Sequence, residues 1–213
     1  MDVKICGLKT PESITVAAAA GASHIGLNFF PPSPRAITPE AAAELVAHVP
    51  DGVKIVALVV DADDALFDAI WTNVHPDIFQ LHGKESPDRV REIKQRYGAQ
   101  VMKVLRVAEA DDARAAEAYD GIADMILFDA KPPKELDKLP GGNGLSFDWM
   151  ALKGYRGDTP WMLAGGLTAE NVAEAIRVTG AKAVDTASGA EDAPGIKSPE
   201  KTRAFVSAAL QAD

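Results

Sequence analysis

Residues Ile78–Val107 read IFQLHGKESPDRVREIKQRYGAQVMKVLRV and hold one full repeat of the fold. Ile78–His82 is a short apolar run ending on a polar residue and a glycine. Such runs suit strands buried on both faces, as in parallel sheets. Ser86-Pro87-Asp88 then supplies a hydroxyl N-cap, a proline at the first helical position and an acid in the first turn. Val101–Val107 is the next β-rich run. The separation fits a strand followed by a crossover helix.

The same unit recurs along the chain. Further strands are expected at Val3–Cys6, His24–Phe29, Lys54–Val60, Asp124–Asp129, Trp161–Ala164 and Ala183–Thr186. Thr10-Pro11-Glu12, Thr38-Pro39-Glu40 and Ser198-Pro199-Glu200 repeat the helix start. Alanine-rich bodies at residues 40–49, 113–119 and 171–180 read as helices that pack closely on a sheet. Eight strands alternating with about eight helices allow a closed (β/α)8 barrel or an open doubly wound sheet. The count of eight favours closure, as does a chain that begins on a strand and ends on a helix. No composition shift marks a linker, so residues 1–213 are expected to form a single barrel. Residues 140–144, PGGNG, read as a flexible loop.

Composition narrows the function classes. Lys and Arg number 22 against 31 Asp and Glu, a formal charge of -9. That argues against nucleic acid as a partner, because such affinity comes from neutralising phosphates. One cysteine excludes an internal disulfide and a cysteine-rich zinc site, and suits a reducing cytosol. No apolar run reaches the ~18 residues of a membrane span. The opening MDVKICGLKT lacks the apolar segment of a secretory signal. The expectation is a soluble cytoplasmic protein without a membrane partner.

In such a barrel, chemistry collects at the C-terminal strand ends. The polar residues there are Cys6, Arg35 in the PPSPR loop, His82, Asp129 and Asp185, with Asp61 and Arg106 at strand ends three and five. Period-two alternation turns Lys4 and Cys6 to one face and Val3 and Ile5 to the other. A cation inside the barrel needs a partner. Asp185 is the expected one, since strands one and eight meet on closure. Gly165-Gly166 and Ser188-Gly189, after strands seven and eight, suggest backbone N–H groups holding a phosphate, with Thr168 capping the next helix. The four histidines are scattered: His24 opens a strand, His48 is read within a helix, His75 in a connector, and only His82 ends a strand. A multi-histidine metal site is therefore not expected. A metal-dependent sugar-phosphate epimerase and a non-catalytic phosphate-sugar binding barrel are rival readings, and so is an isomerase of histidine biosynthesis that uses two aspartates, against which the thiol of Cys6 counts.

These segments, taken together, resemble the phosphoribosylanthranilate isomerase family. The resemblance runs through VKICG (Val3–Gly7), GLNFFPPSPRAIT (Gly26–Thr38), FQLHG (Phe79–Gly83), ILFDAK (Ile126–Lys131), GGNGLSFDW (Gly141–Trp149), AGGLTAENV (Ala164–Val172) and AVDTASGAEDAPGIK (Ala183–Lys197). It implies a TIM barrel performing an Amadori rearrangement in tryptophan biosynthesis, without metal or cofactor. It implies Cys6 as general base, Asp129 as general acid and Arg35 as partner of the anthranilate carboxylate. Gly165, Gly166, Ser188 and Gly189 fall on the phosphate turns, Asp185 lies near the sugar hydroxyls, and His82 has a supporting role. Acid–base work at neutral pH asks for an Asp129 carboxyl tuned up and a Cys6 thiol tuned down, with Lys4 as a source of the latter. The expected partner is the phosphorylated sugar–anthranilate substrate, on a monomer or homodimer. The PPSPR loop and the Gly141–Gly144 loop are expected to tighten over ligand.

Overall fold

The computed structural model describes residues 1–130, 149–155 and 157–212. Eight parallel strands close into a barrel in chain order. They are β1 (Asp2–Cys6), β2 (His24–Asn28), β3 (Lys54–Val59), β4 (Ile78–Leu81), β5 (Gln100–Val107), β6 (Met125–Ala130), β7 (Trp161–Leu163) and β8 (Ala183–Thr186). The strands expected from sequence all form, with ends displaced by a single residue. The open-sheet alternative falls, because β1 pairs with β8 and closes the circle.

The helices are α1 (Pro11–Ala20), α2 (Pro39–Val46), α3 (Asp64–Val74), α4 (Pro87–Tyr97), α5 (Ala110–Arg114), α6 (Val172–Thr179) and α7 (Pro199–Gln211). Thr10, Thr38, Ser86 and Ser198 each accept a hydrogen bond from the backbone N–H three residues on, as N-caps should.

Some local expectations need correction. The 113–119 run is helical in two tightnesses: α5 ends at Arg114 and Ala115–Tyr119 is a 3-10 helix. Thr168 does not cap α6. Its N–H donates to Asn171 Oδ1 at 2.8 Å, and its carbonyl accepts from Asn171 and Val172 N–H, so a turn precedes the helix. His48 lies two residues beyond α2. After β8 the chain makes an excursion that periodicity did not announce: a 3-10 turn at Ser188–Ala190, then an antiparallel pair β9 (Glu191–Ala193) and β10 (Ile196–Lys197). Lys131, residues 140–144 and most of GGNGLSFDW lie outside the described residues.

Alternation builds two apolar layers. Val3, Ile5, Ile25, Leu27, Phe79 and Phe128 pack outward beneath the helices. Val56, Ile78, Met102, Val104, Leu127 and Met162 fill the barrel interior. Polar side chains occupy the same inward face towards the C-terminal ends, above this plug. That leaves the chemistry at one mouth of a closed, packed barrel.

His24 opens β2, registers with Lys4 and is only 2% exposed. Its Nδ1 lies 2.8 Å from Ser23 Oγ. Burial pushes the imidazole down to about 4; Lys4 and Lys54 add to the fall and Asp2 opposes it. An unfolded chain takes up this proton below about pH 6.5 while the folded chain refuses it until about 4, so stability rises with pH across that window. His24 alone should cost about 3 kcal/mol of stability as pH falls through it. Urea titrations should show a smaller fall for a folded His24→Gln; an equal fall in both proteins would contradict this.

Candidate active site

The site starts at the barrel seam. Lys4 registers with Asp185 across β1 and β8, and its Nζ donates to Asp185 Oδ1 at 2.9 Å. The lysine is fully buried, so the ion pair expected from sequence is present and shielded from water. Burial works against the ammonium, but the charge of Asp185 and the neighbouring Cys6 outweigh it, and the proton is held more tightly than usual.

Cys6 lies two residues on, facing the same way, 4% exposed. Burial pushes its thiol up and Asp185 adds to this; Lys4, Lys197 and Arg35 pull it down. The net direction is upward. Lys4 acts in the sense expected of it, and in the free protein burial outweighs it. Desolvation of a thiolate exceeds what these cations return.

Gly7 ends the KICG segment with φ +79°. A Cβ there would come within 2.5 Å of Arg35 Cδ. Glycine is required on both counts, and its absent side chain lets the Arg35 stem lie over the end of β1. Arg35 is no ordinary surface arginine. Its Nε and Nη2 donate to the two carboxylate oxygens of Glu191, each at 2.7 Å. Lys197 Nζ donates to the same carboxylate at 2.8 Å and to the Ala187 carbonyl at 2.7 Å.

Asp129 stands on β6, three strands round from β1, in register with Arg106 of β5. His82 Nε2 is 3.4 Å from Asp129 Oδ2, and both side chains are buried. Gln80 Nε2 approaches His82 Nδ1 at 3.5 Å. The turn after His82 is braced by Glu85, which accepts from the Asp61 and Gly83 N–H groups and from Lys103 Nζ at 2.8 Å. A cleft of about 460 Å³ opens here, lined by Phe30, Asp61, His82, Lys84, Arg106 and Tyr119 among others.

The two glycine turns converge. Gly165 and Gly166 both have positive φ, +91° and +66°. Thr186 Oγ1 donates to the Leu167 carbonyl at 2.7 Å, and a Cβ on Gly189 would fall within 2.0 Å of that oxygen. The backbone after β7 and the Ser188-Gly189 turn therefore touch, which only a missing side chain permits. Among the described residues, no three His, Cys, Asp or Glu side chains group in a way that could hold a metal ion.

The structure thus gathers Cys6, Arg35 and Asp185 at one side of the mouth and His82 with Asp129 at another. Sequence reading gave no role to Glu191, Lys197, Gln80 or Arg106. Alternation would have found Gln80, which shares a face with His82, and Arg106 had already been placed at the end of strand five. Glu191 and Lys197 lie in the excursion after β8, where no periodicity exists to read.

A closed barrel with polar side chains and paired glycine turns at its C-terminal mouth defines a barrel enzyme. Residues 3–208 match the family described as N-(5'-phosphoribosyl)anthranilate (PRA) isomerase. The chain is 55% identical over 213 residues to the N-(5'-phosphoribosyl)anthranilate isomerase of Parvibaculum lavamentivorans, covering 100% of this chain and 99% of that one. It superposes on the phosphoribosyl anthranilate isomerase of Thermotoga maritima with a TM-score of 0.88 at 32% identity, covering 99% of each chain. A phosphoribosyl anthranilate isomerase solved with reduced 1-(o-carboxyphenylamino)-1-deoxyribulose 5-phosphate superposes with a TM-score of 0.83 at 30% identity, again covering 99% of each. The chain belongs to the N-(5'-phosphoribosyl)anthranilate isomerase family.

Breaking the seam pair should be expensive, because it strands a buried carboxylate. Lys4→Met should destabilise the fold by about 3–5 kcal/mol, and adding Asp185→Leu should recover most of the loss. Chemical denaturation of the single and double variants checks this; a double variant no more stable than the single one would contradict it.

Proposed function

We propose that this chain converts N-(5-phosphoribosyl)anthranilate to 1-(2-carboxyphenylamino)-1-deoxyribulose 5-phosphate by acid–base catalysis, with Asp129 as acid and Cys6 as base. Membership of the isomerase family supports the overall reaction. The observation that supports the residue roles is the placing of a buried thiol and a buried carboxyl on separate strand ends of one barrel mouth. The reading uses this chain's own side chains and assigns no step to a metal or cofactor.

The substrate is a furanosylamine. Asp129 donates a proton to the ring oxygen while the anilino nitrogen pushes its lone pair onto C1. The C1–O bond breaks, leaving an open-chain cationic Schiff base with a free hydroxyl. Cys6 then removes the proton from C2, and the C2–H electrons form the C1–C2 double bond as the nitrogen recovers its pair. The enolamine takes a proton at C1 and its C2 hydroxyl becomes the ketone. The buried thiol suits this order. Its proton is held tightly before ring opening, and a cationic nitrogen close by favours the thiolate when it is needed.

Binding follows the same geometry. The Gly165-Gly166 and Ser188-Gly189 turns hold the phosphate through backbone N–H groups. Arg35 meets the anthranilate carboxylate, its guanidinium fixed by the Glu191 fork on the Nε–Nη2 edge. Asp185 faces the sugar hydroxyls, and His82 steadies Asp129. A net charge of -9 does not prevent anion binding, because distant charges are screened over about 10 Å while the local cations and N–H groups are not.

The test is an isomerase assay with chelator present, following the loss of substrate fluorescence after synthesis in situ from anthranilate. Wild type should turn over, and Asp129→Asn and Cys6→Ala should each lose at least about a hundredfold in kcat. A folded wild type without turnover would refute the function. Turnover surviving both substitutions would keep the function and refute the roles.

A further inference from the structure

The excursion after β8 carries an ion pair whose chemistry the fold alone does not require. Lys197 is paired with Glu191 across the β9–β10 hairpin and is 5% exposed. A buried ammonium is costly, and Glu191 already has a full partner in the two-pronged bond from Arg35. The hairpin is also held by its own strand pairing and by docking on the PPSPR loop. A Cβ on Gly195 would come within 2.4 Å of the Pro34 carbonyl, which also accepts from Lys9 Nζ at 2.9 Å. The positive charge of Lys197 is therefore more than Glu191 needs, while its N–H groups tie the hairpin to the Ala187 carbonyl at the end of β8.

A charge count shows where the surplus points. Three cations stand round Cys6: Lys4, two residues back on the same face of β1; Arg35 of the β2–α2 loop, whose stem lies over Gly7; and Lys197 of β10, whose Nζ donates at 2.7 Å to the carbonyl of Ala187, the residue after Thr186, which pairs with Ile5. Two anions sit among them, Asp185 of β8 and Glu191 of β9. Three against two leaves one positive charge, and a Cys6 thiolate would balance it.

We propose that Lys197, held in place by Glu191, is a positioning residue that sets the proton affinity of the Cys6 thiol. The catalytic meaning of this rests on Cys6 being the base; the electrostatic claim does not. Burial drags the Lys197 ammonium below its ordinary range, while Glu191 and Cys6 pull it back, as expected for a cation with an anion to serve. Glu191 has two tasks: it fixes Arg35 and Lys197 relative to one another, and it prevents the cluster from becoming so positive that the thiol ionises without substrate.

The chain has one cysteine, so the ultraviolet absorbance of its thiolate, referenced to matching Cys6→Ser proteins, reads this group alone. In Lys197→Met the thiol midpoint should rise by about one pH unit, and Lys197→Arg should restore it. In Glu191→Gln it should fall. The opposite signs separate a charge effect from loosening of the hairpin, which would move both variants the same way. If Lys197→Met does not fold, Glu191→Gln, similar in volume, still carries the sign. Midpoints that stay put, or that move together, in folded variants overturn the proposal even if activity drops. A shifted pair of midpoints in a chain whose Cys6→Ser variant still turns over upholds the proposal and refutes Cys6 as base.

Discussion

The buried ion pair between Lys4 and Asp185 constrains more of this molecule than any other contact. An ammonium that is fully buried must meet an anion, and the only strands that can bring one level with Lys4 are its two neighbours. Asp185 on β8 does so in direct register. The pair therefore fixes closure and register together. A slip of one residue would turn Lys4 into the apolar layer occupied by Val3 and Ile5, with no partner there. With the register set, Cys6 must face inward at the mouth, and Gly7 must let Arg35 cross above it.

From the seam outward, the mouth is a problem of charge balance in a dry space. Among the described residues, three buried acids are matched by cations, Asp185 by Lys4, Glu191 by Arg35 and Lys197, and Glu85 by Lys103, while Asp129 faces His82. Glu85 and Lys103 stand apart from the thiol and brace the turn that carries His82. The other matched charges surround Cys6 with a small positive excess. Burial favours the protonated thiol in that setting, and the proposed ring opening would add the positive charge that favours the thiolate. An acidic chain can thus present a locally cationic mouth to an anionic substrate.

Much of the fold was legible because its signals are local. Hydroxyl–proline–acid helix starts and apolar runs at regular spacing gave strand ends correct to one residue. The Lys4–Asp185 pair was legible too, since alternation plus the demand for a counter-charge leaves few choices. Other features depend on tertiary packing. The 3-10 turn at Ala115–Tyr119 and the delayed start of α6 reflect local hydrogen bonding that alanine content does not encode. Arg35 could be placed at the mouth by its loop, but its fork with Glu191 spans 156 residues of sequence and has no periodic signature. The proton affinity of the free thiol was illegible for a related reason. Sequence shows the cation two residues away and hides the depth of burial that outweighs it.

The central claim is that one mouth orients the substrate from the β7–β8 glycine turns towards Arg35, with its reacting carbons between Cys6 and Asp129. The most direct measurement is a crystal structure of this chain with reduced 1-(o-carboxyphenylamino)-1-deoxyribulose 5-phosphate. The account predicts the phosphate on the Gly165-Gly166 and Ser188-Gly189 backbone, Cys6 Sγ against C2 and the Asp129 carboxyl near the hydroxyl that was the ring oxygen. A phosphate bound elsewhere, or a thiol and carboxyl both remote from those atoms, would contradict it.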